Sequence, residues 1–249
     1  MRNAWSEQVH EALALATAAH HEDVRKGTLV PYVMHPFQVG LILDRHGYGE
    51  HVMIAGFLHD VLEDPKYGAP LVQGRLRAVV PRLASAPDGG AGFRAAVEEY
   101  IGHAFGRRVL ELVRHVTEQK LDDRGEKRPW QDRKLDQLGI LQDADTEHCA
   151  LKAADCLDSL RSLSRDLRAH GRSVMDRFNA SPGAQLWYYG RVTDLVSRRL
   201  GDTAGLAGEL IAALREFGDV LVSTGALADG SHPSPRAEPF VPPVRLDGP

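Results

Sequence analysis

The chain has 249 residues, 43% of them hydrophobic, which is enough for a globular core and too many for a disordered polymer. Its 30 Lys and Arg against 34 Asp and Glu leave a formal net charge of -4, so no basic footprint marks it as a nucleic-acid binder. Residues 1–21 carry Glu7 and Glu11 and no long apolar run. Neither a secretory leader nor a membrane span is predicted there, and the cytoplasm is the expected compartment.

Val9, Ala12, Leu13, Ala16 and Ala19 recur every three or four residues and predict an amphipathic helix over about 5–22. Gly27 and Pro31 punctuate a loop over 25–32. A second helix should open near His35, with Pro36 at its first position, and end near Gly47. A third is predicted through His51–Asp64, stopped by Pro65. Helical spacing continues over about 71–83, breaks in the Gly-rich 86–92 stretch, and returns over 92–102, 105–118 and 130–142. Asp122–Arg128 reads as a mixed-charge loop. A longer helix should run from a cap at Asp145 or Thr146, with Glu147 in its first turn, to His170. Two more are expected over 183–200 and 203–222, with Trp187-Tyr188-Tyr189 in the core or at a dimer contact.

No strand-like alternation and no internal repeat is present. The fold class is therefore all-α, one domain over 1–224 followed by a Pro/Gly-rich, flexible tail over 225–249. Cys149 and Cys156 stand about two helical turns apart on one face, too far for a disulfide, and read as small core residues in a reducing compartment.

Two acidic clusters interrupt otherwise apolar helices. One is His59-Asp60-Val61-Leu62-Glu63-Asp64; the other is Asp155 within Leu151–Asp155. On a helix, His59 and Asp60 would point about 100° apart, with Glu63 and Asp64 one turn further along. Imidazoles and carboxylates together suit a divalent Mn, Fe or Zn ion, which lowers the pKa of water and neutralises phosphoryl charge. Each residue also has a plain structural reading: a surface His-Asp pair, a helix-capping His35, a buried ion-pair Asp155, solvated carboxylates before Pro65. The residues alone leave the metal site and those separate roles about level.

A series of motifs tilts the balance. Arg25-Lys26-Gly27-Thr28, Tyr32-Val33-Met34-His35-Pro36, Phe57-Leu58-His59-Asp60-Val61-Leu62-Glu63-Asp64, Val116-Thr117-Glu118 and Leu151–Arg161 occur in order. Over about residues 8–170 the chain resembles the HD-domain hydrolases of the RelA/SpoT type. The resemblance implies an HD helical bundle with extra C-terminal helices, acting on the guanine alarmones ppGpp and pppGpp. It implies metal ligation by His35, His59, Asp60 and Asp155, with Mn²⁺ the usual ion, and a water oriented or activated by Glu63 and Asp64. Arg25 and Lys26 would hold the nucleotide, with Ser159 and Arg161 as further candidate substrate contacts. In-line attack of water at the 3′ phosphorus would release pyrophosphate and leave GDP or GTP.

One departure bears on substrate. Ser159 stands where such hydrolases usually carry Asn, so another nucleotide, such as one with an NADPH-type 2′-phosphate or a deoxynucleotide, is the competing substrate class. A non-catalytic nucleotide sensor is the third reading. No nucleic-acid or membrane partner is expected, and homo-oligomerisation is left open.

Overall fold

The computed structural model describes residues 5–63, 66–201 and 205–227. Among them the chain forms ten α-helices: α1 (Glu7–His20), α2 (Met34–Arg45), α3 (Glu50–Leu58), α4 (Pro70–Val79), α5 (Gly90–Ala104), α6 (Arg107–Val116), α7 (Trp130–Gln142), α8 (Thr146–His170), α9 (Pro182–Leu200) and α10 (Leu206–Ser223). No strand occurs among the described residues, and only isolated bridges pair Val24 with Pro31 and Leu121 with Lys127. The expected tail from 228 onward, with Asp64 and Pro65, lies outside the described residues. No helix of the described residues is long and apolar enough to cross a membrane.

α8 organises the packing. Its 25 residues follow a cap at Asp145, whose side chain accepts from the His148 amide at 3.0 Å, as the capping pattern predicts. Cys149, Ala150, Leu151, Ala153, Ala154, Leu157 and Leu160 are buried along it, and α2, α3, α6, α9 and α10 all pack on it. Both cysteines are free and buried. Small residues on α8 let these helices pack closely, and polar side chains from α8, α2 and the turn after α3 meet beside it.

α2 and α3 touch through glycine. A Cβ on Gly40 would meet the Phe57 ring at 2.3 Å, and one on Gly56 would meet the Gly40 Cα at 2.9 Å. Two bare backbones therefore lie against each other. That contact brings His35, at the start of α2, beside His59, just past the end of α3, with ring centroids 5.0 Å apart.

Two helical expectations need correction. Pro36 is the third helical residue, because α2 opens at Met34. More consequentially, α3 stops at Leu58 and residues 59–62 form turns. The cause is local. The Gly56 carbonyl, which the Asp60 amide would use in a continued helix, instead accepts from His59 Nδ1 at 2.8 Å. Val61 and Glu63 then fall back to tighter bonds on Leu58 O and Asp60 O. The Val61 carbonyl is taken by the Tyr67 hydroxyl.

Candidate metal centre and the cavity beside it

Four side chains from α2, α8 and the turn after α3 converge. One ligand-type atom each from His35, His59 and Asp155 lies within 4.8 Å of the other two. Asp60 joins them, with Oδ1 3.2 Å from His59 Nε2 and Oδ2 3.7 Å from His35 Nε2. Asp155 Oδ1 stands 3.2 Å from the same His35 nitrogen.

The second nitrogen of each ring fixes what the first can do. His59 Nδ1 donates to the Gly56 carbonyl, which leaves Nε2, buried and without a hydrogen-bond partner, as the nitrogen available to an ion. That nitrogen faces the Asp60 carboxylate, where a bound cation or a ring proton can supply the positive charge between them. His35 Nδ1 lies 2.7 Å from Asp158 Oδ2, and Arg25 Nη2 lies 2.7 Å from the same oxygen. The 3.1 Å approach of Arg25 to His35 Nδ1 is thus two donors sharing one carboxylate. With Nδ1–H committed to Asp158, His35 can offer Nε2 to an ion. Two imidazole nitrogens and two carboxylates form a donor set suited to a first-row divalent ion, and these residues fit one.

The electrostatics agree. Burial alone would lower the His35 pKa, but Asp155, Asp158 and Asp60 raise it to about 10. Burial would raise Asp60 and Asp155. The neighbouring histidines hold Asp60 below the usual carboxylate range, and Lys152 with both histidines holds Asp155 there. In the metal-free protein this cluster of anions keeps a proton on His35 where an ion would otherwise supply the positive charge.

A cavity of about 350 Å³ opens beside the cluster. His35, Asp60 and Asp155 line it together with four cations, Lys120, Arg133, Lys134 and Lys152, the last paired with Asp155 at 2.8 Å. Glu63 also lines the cavity, with its carboxylate accepting from Lys120 Nζ. Burial and the Asp60 charge outweigh Lys120 and raise the Glu63 pKa above its ordinary value. Asp60 Oδ2 also accepts from the Tyr32 hydroxyl at 2.7 Å, so Tyr32 orients it. Cys156 reaches the cavity too, but burial pushes its thiol pKa up to about 12, which makes it a poor nucleophile.

The sequence-predicted residues divide in three. His35, His59, Asp60, Asp155 and Glu63 come together, and Ser159 lines the cavity. Arg25 and Lys26 flank it. Arg25 is bound behind His35, and exposed Lys26 sits 5.4 Å from the ring of Phe178, a lining residue. Arg161 is elsewhere, since it pairs with Glu209 on α10 at 2.7 Å and does not line the cavity. Its position two residues past Ser159 turns it to another face of α8. Tyr188 and Tyr189, expected as core or dimer contact, also line the cavity.

Sequence reasoning assigned no role to Asp158, Glu118, Arg133, Lys134 or Lys152. Asp158 had a readable signal, because it sits three residues after Asp155 and so faces the same side of the helix. The α7 cations had none, since only the packing of α7 turns them inward.

A model of the HD domain matches residues 12–179. The chain belongs to the HD-domain family. A guanosine-3′,5′-bis(diphosphate) 3′-pyrophosphohydrolase of Aquifex aeolicus (strain VF5) is 28% identical over 159 residues, or 64% of this chain and 18% of that protein. A putative chloroplastic GTP diphosphokinase of Oryza sativa subsp. japonica is 41% identical over 56 residues, 22% of this chain and 6% of that one. The HD-domain chain thus spans under a fifth of the length of these curated relatives. Among solved structures, a metazoan SpoT orthologue described as hydrolysing ppGpp superposes with TM-score 0.58 at 25% identity, covering 87% of this chain and 99% of that one. A Listeria monocytogenes EGD-e protein superposes with TM-score 0.51 at 25% identity, covering 73% and 96%.

Proposed function

We propose that this HD domain is a metal-dependent phosphohydrolase that removes the 3′-pyrophosphate of ppGpp and pppGpp. The observation that carries the reading is the shared cavity, lined both by residues of a His/Asp donor set and by four buried or half-buried cations. The activities named for the Aquifex and metazoan relatives support the substrate. His35, His59, Asp60 and Asp155 would hold the ion, taken to be Mn²⁺. Such an ion supplies acidity to water and offsets charge on the phosphoryl oxygens. Lys120, Arg133, Lys134 and Lys152 bind the phosphates. Glu63 accepts the proton of the water that attacks the 3′ phosphorus, the bond from that phosphorus to the ribose 3′ oxygen breaks, the 3′ oxygen takes up a proton, and pyrophosphate and GDP or GTP result. Asp64 is its proposed companion, and Arg25 and Lys26 are the proposed nucleotide-side contacts. The domain is read as one unit followed by a tail.

The direct test is hydrolysis of ppGpp with and without Mn²⁺, following GDP and pyrophosphate by anion-exchange chromatography. Metal-dependent GDP release is the expected result, and metal-loaded protein that leaves ppGpp intact overturns the alarmone reading. Ser159 on the cavity wall favours one second reading, another phosphorylated nucleotide, which a panel assayed for released phosphate or pyrophosphate separates.

Asp158 should matter without touching the ion. Asp158→Ala removes the acceptor that commits His35 Nδ1–H and releases Arg25. Metal affinity is expected to fall by about 10- to 100-fold in a direct metal titration. Unchanged affinity would mean that His35 is oriented by packing alone.

A further inference from the structure

Residues 117–121 connect α6 to the loop before α7, and they alternate in the manner of a strand. Glu118 and Lys120 face the cavity beside the metal centre. Thr117, Gln119 and Leu121 line a separate cavity of about 780 Å³. The backbone is fastened on both sides. Gln137 donates to Thr117 O at 3.3 Å, Arg128 Nη1 donates to Gln119 O at 3.3 Å, and the Arg128 amide donates to Lys120 O at 2.9 Å. Glu118 is therefore presented inward from a held segment.

Its carboxylate is 8% exposed and does more than balance charge. One oxygen accepts from Arg133 Nη1 at 2.6 Å, and the other accepts from Lys134 Nζ. Lys134 is placed by aromatic rings as well, with its ammonium 4.6 Å from the Tyr188 ring centre and 5.9 Å from that of Trp130. Arg133 Nε is buried and has no acceptor in the structure. Two adjacent cations on α7, whose charges repel, are thus drawn together onto one carboxylate, with a guanidinium donor left over.

We propose that Glu118 is a positioning residue for the phosphate-binding face, holding Arg133 and Lys134 at the spacing that receives the substrate's pyrophosphoryl group. The inference rests on the phosphohydrolase reading and adds to it the residue that places two of the cavity's cations. Glu118 touches neither the reacting atoms nor the ion. It acts through the two side chains it holds.

The sign of the effect makes the idea testable. Removing a negative charge from an anion site strengthens anion binding if the cations need no placement. If they do, binding weakens despite the added positive charge. The probe is inorganic pyrophosphate, titrated calorimetrically into the full chain in metal-free buffer, with Glu118→Gln and Glu118→Asp beside the unsubstituted protein. Gln keeps the shape and loses the charge, and Asp keeps the charge and withdraws the oxygens by one methylene. Pyrophosphate binding is expected to weaken by about tenfold in Glu118→Gln and by a smaller factor in Glu118→Asp. In turnover the loss should appear in KM, with kcat nearly unchanged.

Pyrophosphate binding equal to or tighter than that of the unsubstituted protein, in either variant, overturns the proposal. If Glu118→Gln does not fold, Glu118→Asp decides by the same criterion. Unsubstituted protein that binds no pyrophosphate overturns both this inference and the phosphate cavity of the proposed function. Weakened binding in the variants of a protein that does not hydrolyse ppGpp upholds Glu118 and overturns only the substrate.

Discussion

Glu63→Gln is expected to keep its bound metal and to lose between about a hundredfold and ten-thousandfold in turnover, the range for removing a general base. Glu63 lines the cavity next to Asp60 without belonging to the His/Asp donor set. Its partner is Lys120, and the amide oxygen of Gln can still accept from that ammonium, so the wall keeps its shape. What Gln cannot do is take a proton. Burial and the Asp60 charge raise the Glu63 pKa, so the carboxylate is a stronger base than an exposed one. The sign for pH follows. The base form is lost as pH falls through the raised pKa, so kcat/KM should decline on the acid side at a pH above the ordinary Glu value of about 4.3. In Glu63→Gln that limb should vanish from the residual activity. Single-turnover rates across pH, with metal content measured on the same samples, check both statements. A full rate in Glu63→Gln would show that another group takes the proton.

How this site could be read from sequence, and where the reading went astray, is clearest at residues 56–63. Periodicity identifies an apolar helix with His59, Asp60 and Glu63 near its end, and these three do lie beside the candidate centre. The geometry inferred for them, one turn apart on a continuing helix, does not hold, because α3 ends at Leu58. The switch lies in the His59 side chain, which takes the Gly56 carbonyl that the helix needs to go on. Helical spacing cannot register that competition, since the same His is compatible with either course. The longer elements behave differently. In α8 the Asp145 cap and the apolar face are both local signals, and both hold. Arg161 points away from the cavity, towards Glu209, for a related reason: proximity in sequence to Ser159 is not proximity in space on a helix. Arg133 and Lys134 are the converse. Nothing in Asp132-Arg133-Lys134-Leu135 distinguishes them from a solvated helical face until Glu118, 15 and 16 residues earlier, draws them inward.

Asp155 carries the second large effect and also the sharpest choice between a ligand and a structural ion pair. Its Oδ2 accepts from Lys152 at 2.8 Å, while Oδ1 stands 3.2 Å from His35 Nε2. Lys152 is 7% exposed, so Asp155→Ala leaves a buried ammonium unpaired. Breaking a buried pair from one side costs about 3–5 kcal/mol, and the cavity beside Lys152 argues for the lower end. Asp155→Ala is therefore expected to melt well below the unsubstituted protein, to bind no stoichiometric metal, and to retain less than about a thousandth of the activity, the loss expected when the ion and its electrostatic stabilisation go together. Lost activity alone would not separate the two roles, because an unstable protein is also an inactive one. Lys152→Met in the same chain does separate them, since it removes the stranded charge and fills its volume. The double variant should recover most of the melting temperature and still hold no metal by elemental analysis. If it regained metal along with stability, Asp155 would be the counter-ion of Lys152, and the centre would rest on His35, His59 and Asp60.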